Sequence, residues 1–232
     1  MSLPPASDER WIEVSNTLNR DGFSVLPGVL DSHQCKELIE SYDHCRFRST
    51  INMARYGFGS GEYKYFSYPL PPALTELRPQ AYDRLVGLAN DWYAAMGKPD
   101  RFPAAHSDFL KRCHDAGQTR PTPLILKYGS GDYNTLHQDI YGDNVFPLQM
   151  AILLSDPADF DGGEFVLTEQ RPRQQSRANV VQLAQGDAVI FAVRERPVRG
   201  TKGVYRVQHR HGVSRLHRGS RFTVGVIFHD AA

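Results

Sequence analysis

The chain has 232 residues, of which 41% are hydrophobic and 23% charged, and a formal net charge of +1. Those proportions belong to a folded globular protein and exclude a disordered or collagen-like chain. No apolar run is long enough to cross a bilayer, and the opening MSLPPASDERW lacks the basic flank and apolar stretch of a secretion signal, so a cytoplasmic protein with no membrane partner is expected. Cys35, Cys45 and Cys113 are odd in number and show no Cys-x-x-Cys spacing, which points to three reduced core residues rather than a disulfide framework or a zinc site. The charge is uneven. Residues 1–170 carry 15 Lys and Arg against 23 Asp and Glu, whereas 171–221 carry 12 against 2. This basic segment either forms a field for an anionic partner or pairs with the acidic first half.

In chain order, Trp11, Ile12, Val14 and Leu18 lie at helical spacing over 8–20, and Asp21-Gly22 supplies a stop. FSVLPGVL reads as a short strand and turn, and Asp31 or Ser32 caps a second helix. Residues 72–96 predict a third helix, with Pro79 as a second candidate for its start. Between the second and third helices, ARYGFGSGEYKYFSYPL crowds Tyr56, Phe58, Tyr63, Tyr65, Phe66 and Tyr68 around glycines. That pattern reads as a hairpin with an aromatic face, which either packs on the core or forms a lid that stacks on a flat substrate. From Pro123 onward, eight short strands separated by Gly, Asp and Pro turns predict a double-stranded β-helix, or jelly roll. The fold class expected is therefore mainly β with N-terminal helices. It forms a single domain over 1–232, with 1–122 as helical and hairpin support and lid and 123–232 as the jelly-roll catalytic core.

Two His-x-Asp triplets occur, His106-Ser107-Asp108 and His137-Gln138-Asp139. With 9 His and 17 Asp in the chain, chance alone supplies roughly one such triplet, so context must separate them. In a strand, residues two apart point the same way, so His137 and Asp139 can offer a ring nitrogen and a carboxylate oxygen to one cation. His106 and Asp108 stand in no strand-like run and are assigned to a surface or helix-capping role. Two imidazoles and one carboxylate form the facial set of a non-haem iron centre. Among His209, His211, His217 and His229, His211 is preferred as the third ligand because it closes the strand GVYRVQHRH. Arg221 follows ten residues later, and Arg221 and Thr223 share one face of the last strand, offering a guanidinium fork and a hydroxyl to a dicarboxylate.

HQD followed by HGVSRLHRGSRFTVGVIF resembles the His-x-Asp … His-x(9)-Arg-x-Thr/Ser signature of the Fe(II)- and 2-oxoglutarate-dependent dioxygenases. Asp161-Gly162-Gly163-Glu164 is similar to a turn in their prolyl-hydroxylase-like branch. The resemblance implies Fe(II), 2-oxoglutarate and O2 as cofactor and cosubstrates, with His137, Asp139 and His211 as both metal ligands and catalytic centre. It implies Arg221 as partner of the distal carboxylate, with Tyr128, nine residues before His137, or Thr223 assisting. The whole chain is most similar to a bacterial oxygenase family classed with the oxidative demethylases of damaged nucleic acid, distantly AlkB-like, although the Arg221 spacing is that of prolyl hydroxylases. Three functions follow as expectations: an N-demethylase of alkylated DNA or RNA, a hydroxylase of a protein side chain or small molecule, and a non-enzymatic cupin-like binding module.

Overall fold

The computed structural model describes Leu3 and residues 8–232; the other opening residues read above for a secretion signal lie outside it. Helix α1 (Glu9–Asp21) begins at Asp8, whose carboxylate accepts from the Arg10 amide, and ends at Gly22 in the left-handed conformation. Strand β1 (Phe23–Leu26) leads to α2 (Ser32–His44), where Asp31 and Gln34 complete a reciprocal capping box. Then come β2 (Phe47–Asn52), a 3-10 turn at Met53–Tyr56, β3 (Gly59–Ser60) and β4 (Glu62–Phe66). Helix α3 (Pro72–Ala95) starts with Pro72 in its first turn and runs through Pro79. Pro79 is therefore not its start. The buried face of Leu74, Leu77, Ala81, Tyr82 and Leu85 offsets the ~3 kcal/mol that an interior proline costs. Helix α4 (His106–Asp115) completes the helical layer.

The remaining chain supplies β5 (Leu124–Tyr128), β6 (Tyr133–His137), β7 (Leu148–Leu153), β8 (Phe160–Gly162), β9 (Phe165–Gln170), β10 (Arg177–Val181) and β11 (Ala188–Ala192). It ends with β12 (Glu195–Gly200), β13 (Gly203–Val213), β14 (Leu216–Gly219) and β15 (Arg221–Val226). One seven-stranded sheet has the order β1-β11-β7-β15-β5-β4-β2 and faces a sheet ordered β10-β9-β13-β6-β3, with β12 added beside β13. The two sheets form the jelly roll. The large sheet takes β1, β2 and β4 from the first 122 residues, so the N-terminal part is hydrogen-bonded into the barrel wall.

Alternation along the central strands builds two layers. Met150, Ile152, Ile190, Val224 and Val226 point away from the barrel into the core shared with α1, α2 and α3, whereas Gln149, Ala151, Arg221, Thr223 and Gly225 line its interior. A smaller inter-sheet cluster of Phe165, Leu167, Val181, Val189 and Phe191 closes one end of that interior. Cys35 and Cys113 are buried, but Cys45 is exposed, because it caps the end of α2 rather than facing the core; all three are free thiols. Among the described residues no helix is long and apolar enough to cross a membrane.

Candidate active site

Antiparallel pairing of β6 with β13 sets His137 directly opposite His211, with ring centroids 4.2 Å apart. Gly212 makes this possible. A Cβ there would meet the carbonyl oxygen of Asn134 at 2.6 Å, so only glycine lets β13 kink against β6 beside His211. Strand β6 ends at His137, and Asp139 lies just beyond it in the loop. Loop curvature, not strand alternation, therefore brings the carboxylate to the imidazoles. Asp139 Oδ1 is 3.6 Å from His137 Nε2 and Oδ2 is 3.4 Å from His211 Nε2. One ligand atom from each of the three residues lies within 4.8 Å of the others, which is a geometry able to hold a metal ion.

The protonation states suit a cation. Burial pushes the Asp139 carboxyl up, but the hydrogen bond and charge of His211 together with His137 outweigh it and hold the group well below the usual carboxylate range. Burial and the neighbouring His137 push His211 down, toward a neutral ring with a free lone pair. His137 Nδ1 lies 2.7 Å from the carbonyl of Thr135, an arrangement that places the ring proton there and leaves Nε2 free to ligate. Phe165 and Phe191 pack on the His211 ring and fix its plane.

Strand β15 lies between β5 and β7, and its Arg221 is the register partner of Tyr128. Both side chains are buried, with the guanidinium carbon 5.9 Å from the Tyr128 ring centre. Arg221 Nη1 and the Tyr128 hydroxyl have no hydrogen-bond partner among the described residues. Buried polar atoms are rarely left so, and an anion between them would satisfy both. Burial lowers Arg221 to about 10, which still leaves it charged at neutral pH. Thr223 is buried two residues along and faces the same cavity. The turn Asp161-Gly162-Gly163-Glu164 backs the arginine: Gly163 has φ +68°, and a Cβ there would lie 2.7 Å from Leu216 and 3.0 Å from the Arg221 stem. All six residues singled out in the sequence thus line one cavity. Its remaining wall includes Phe58, Tyr63, Tyr65, Tyr141 and Gln149. Of these, sequence reasoning missed Tyr141 and Gln149. Tyr141 stood two residues beyond the His-x-Asp triplet, and that proximity was the available signal.

The other triplet is elsewhere. His106 opens α4 but does not cap it; it is buried, with Nε2 2.8 Å from the carbonyl of Phe228, which corrects the surface or capping assignment. Asp108 sits on the exposed side of the first turn. His209 and His229 are also buried, His209 against Arg196 and His229 behind the Phe146 amide. The basic segment divides. Arg171, Arg177 and Arg196 surround Glu169, and Arg206 faces Glu195. Arg173, Arg210, Arg215 and Arg218 are exposed and make no ion pair among the described residues.

Two solved structures share this architecture. A Pseudomonas putida prolyl-4-hydroxylase aligns with 96% of this chain and 99% of its own at 15% identity, with a TM-score of 0.53. An oxidoreductase of the 2OG-Fe(II) oxygenase family from Burkholderia pseudomallei aligns with 96% of this chain and 92% of its own at 16% identity, with a TM-score of 0.54. The fold is that of the 2-oxoglutarate- and Fe(II)-dependent oxygenases, oxidoreductases whose cofactor and cosubstrates are Fe(II), 2-oxoglutarate and O2. Residues 61–231 match the family described as an oxygenase catalysing oxidative methylation of damaged DNA, and the chain belongs to that family. The uncharacterized protein Rv2227 of Mycobacterium tuberculosis strain H37Rv is 49% identical over 168 residues, 72% of each chain. Membership of an oxygenase family sets aside the non-enzymatic binding module.

Proposed function

We propose that His137, Asp139 and His211 hold Fe(II), that Arg221 receives the distal carboxylate of 2-oxoglutarate with Tyr128 and Thr223 beside it, and that the substrate is N-alkylated nucleic acid, from which the enzyme removes methyl groups. The observation that carries the site is the pairing of two unsatisfied buried donors, Arg221 Nη1 and the Tyr128 hydroxyl, with a His-Asp-His cluster in one cavity. The donor set fits the cofactor: two neutral nitrogens and one carboxylate suit iron and leave coordination positions open. With 2-oxoglutarate and O2, bound Fe(II) supplies the oxidising power to insert oxygen into a substrate C–H bond as 2-oxoglutarate becomes succinate and CO2. Oxidising an N-methyl carbon yields an N-hydroxymethyl group, which breaks its C–N bond to release formaldehyde. Oxygen insertion therefore removes a methyl group rather than adding one, and demethylation is the reading adopted.

The chain's own residues do the rest. Arg221 orients the cosubstrate and neutralises its charge away from water, and the apolar wall formed by Phe165, Phe191 and Leu126 excludes solvent from the reacting end. The family description supports a nucleic-acid substrate. So do Tyr56 and Phe58, which are 58% and 45% exposed and stack with centroids 5.6 Å apart at 20°, Phe58 reaching the cavity. Such a ring pair suits a base unstacked from a single strand. The Arg221 spacing favours a second reading, hydroxylation of a protein side chain or small molecule.

The test is simultaneous succinate and formaldehyde release with Fe(II), 2-oxoglutarate and O2 on an N-methylated single-stranded oligonucleotide and its unmethylated twin. Equal amounts of both products from the methylated strand alone are expected. Succinate without formaldehyde sends the substrate assignment to the hydroxylase reading.

A further inference from the structure

The Asp139 carboxylate is not left free to turn. Tyr141, two residues on in the same loop, donates from its hydroxyl to Asp139 Oδ1 at 2.8 Å. The Tyr65 hydroxyl, on β4, donates in turn to the Tyr141 oxygen at 3.0 Å. A hydroxyl that accepts from one neighbour directs its single proton to the other, so Tyr65 fixes the direction of the Tyr141 bond. Both ends of this relay are braced. The Arg48 guanidinium lies 4.0 Å over the Tyr65 ring, and Gln118, which is buried, donates to the Tyr141 carbonyl at 2.9 Å and to the Asp230 carbonyl at 2.7 Å. The loop carrying Asp139 is thereby tied to the end of the chain.

We propose that Tyr141 is a positioning residue that holds the Asp139 carboxylate by Oδ1 so that it meets the metal through one oxygen, with Tyr65 acting through Tyr141. This inference rests on the assignment of Asp139 as an iron ligand. A carboxylate free to rotate about its Cβ–Cγ bond can grip a cation with both oxygens and take a coordination position that the cosubstrate needs. The Tyr141 hydroxyl occupies a lone pair of Oδ1 and restrains that torsion, leaving Oδ2, on the His211 side, to ligate.

The experiment measures Mn(II) affinity of the full chain by calorimetry, and the ligand-field spectrum of its Co(II) form, for wild type, Tyr141→Phe, Tyr65→Phe, the double variant and His137→Ala. Tyr141→Phe is expected to weaken Mn(II) about tenfold, because the unrestrained carboxylate must be ordered when it binds, and to change the Co(II) spectrum as its second oxygen turns to the ion. Tyr65→Phe is expected to weaken it about threefold, and the double variant no more than Tyr141→Phe, because Tyr65 works through Tyr141. A folded Tyr141→Phe with wild-type affinity and spectrum overturns the inference and leaves the iron site standing. If Tyr141→Phe does not fold, Tyr65→Phe decides, and wild-type affinity and spectrum in that variant overturn it equally. Wild type that binds Mn(II) no better than His137→Ala overturns the iron site itself and this inference with it.

Discussion

Arg221 is a cation buried among rings, with Tyr128 and Phe160 each 5.9 Å from its guanidinium carbon. The nearest acid in the adjoining turn, Glu164, is exposed and receives the Ser214 hydroxyl instead. A buried charge without a counterion costs several kcal/mol, so Arg221→Met should stabilise the protein in the absence of cosubstrate, by about 1–3 kcal/mol, while weakening 2-oxoglutarate at least ~30-fold. Thermal melts with and without 2-oxoglutarate check both halves; a variant less stable than wild type without ligand would show that the arginine is a structural element. At this scale, His137, His211, Arg221 and Thr223 could be singled out because the spacings that mark them, His137 to Asp139 and His211 to Arg221 and Thr223, are local, whereas the pairing of His137 with His211 spans β6 and β13. The contact of Tyr141 with Tyr65 was not legible, since it requires β4 to lie beside the loop after β6, 76 residues away. The burial of His106 was hidden for a similar reason: its carbonyl partner is 122 residues distant.

At the scale of elements, the turn between β8 and β9 packs against Arg221, the residue proposed to receive the cosubstrate. Gly163 combines a left-handed φ with contact to the Arg221 stem, so Gly163→Ala should cost ~1–3 kcal/mol in backbone strain and displace the arginine. Lower unfolding midpoint and weaker 2-oxoglutarate binding together are expected; a change in stability alone would detach the turn from the site. If the stacked pair on the 3-10 turn and its exit holds the proposed nucleic-acid substrate, Tyr56→Ala should weaken a methylated oligonucleotide ~5- to 100-fold with little effect on a methylated nucleoside. Equal losses for both would place Tyr56 elsewhere in the reaction. Seven of the eight strands expected after Pro123 were readable from alternation and turn residues; the eighth, expected over 136–140, instead runs over Tyr133–His137. Strands β2, β8, β12 and β14 were not readable, because their short or charged segments become strands only through partners: β8 pairs with β14, β12 with β13, and β2 with β4, so the hairpin expected within 54–70 starts earlier, at Phe47. Pro79 misleads for the converse reason, since tertiary packing of α3 overrides a local breaker.

At the scale of the whole molecule, three histidines besides His211 are held neutral by burial among the described residues. His106, His209 and His229 are each pushed down to about 4 from an ordinary value near 6.5. The unfolded chain takes up protons near pH 6.5 and the folded chain only near 4, so stability is full above about 6.5 and falls as pH drops through that window. The unfolding free energy from urea titrations should therefore fall steeply between pH 6.5 and 4, by several kcal/mol in total; a flat profile would mean that the three rings are not kept neutral by the fold. The uneven charge seen in the sequence is half resolved by Glu169 and its arginines. The exposed remainder predicts that oligonucleotide affinity drops with salt, whereas that of a methylated nucleoside does not. Parallel titrations in low and moderate salt measure this, and salt-independent oligonucleotide binding would remove the basic segment from substrate recognition.

The measurement closest to the central claim is an anaerobic titration of 2-oxoglutarate into wild type, with and without Mn(II) standing in for Fe(II), and into the His137→Ala and Arg221→Met variants. One 2-oxoglutarate per chain, bound tightly only when metal is present and lost or strongly weakened in both variants, is the predicted result. Equal affinity with and without metal, or wild-type binding by His137→Ala, would contradict the site.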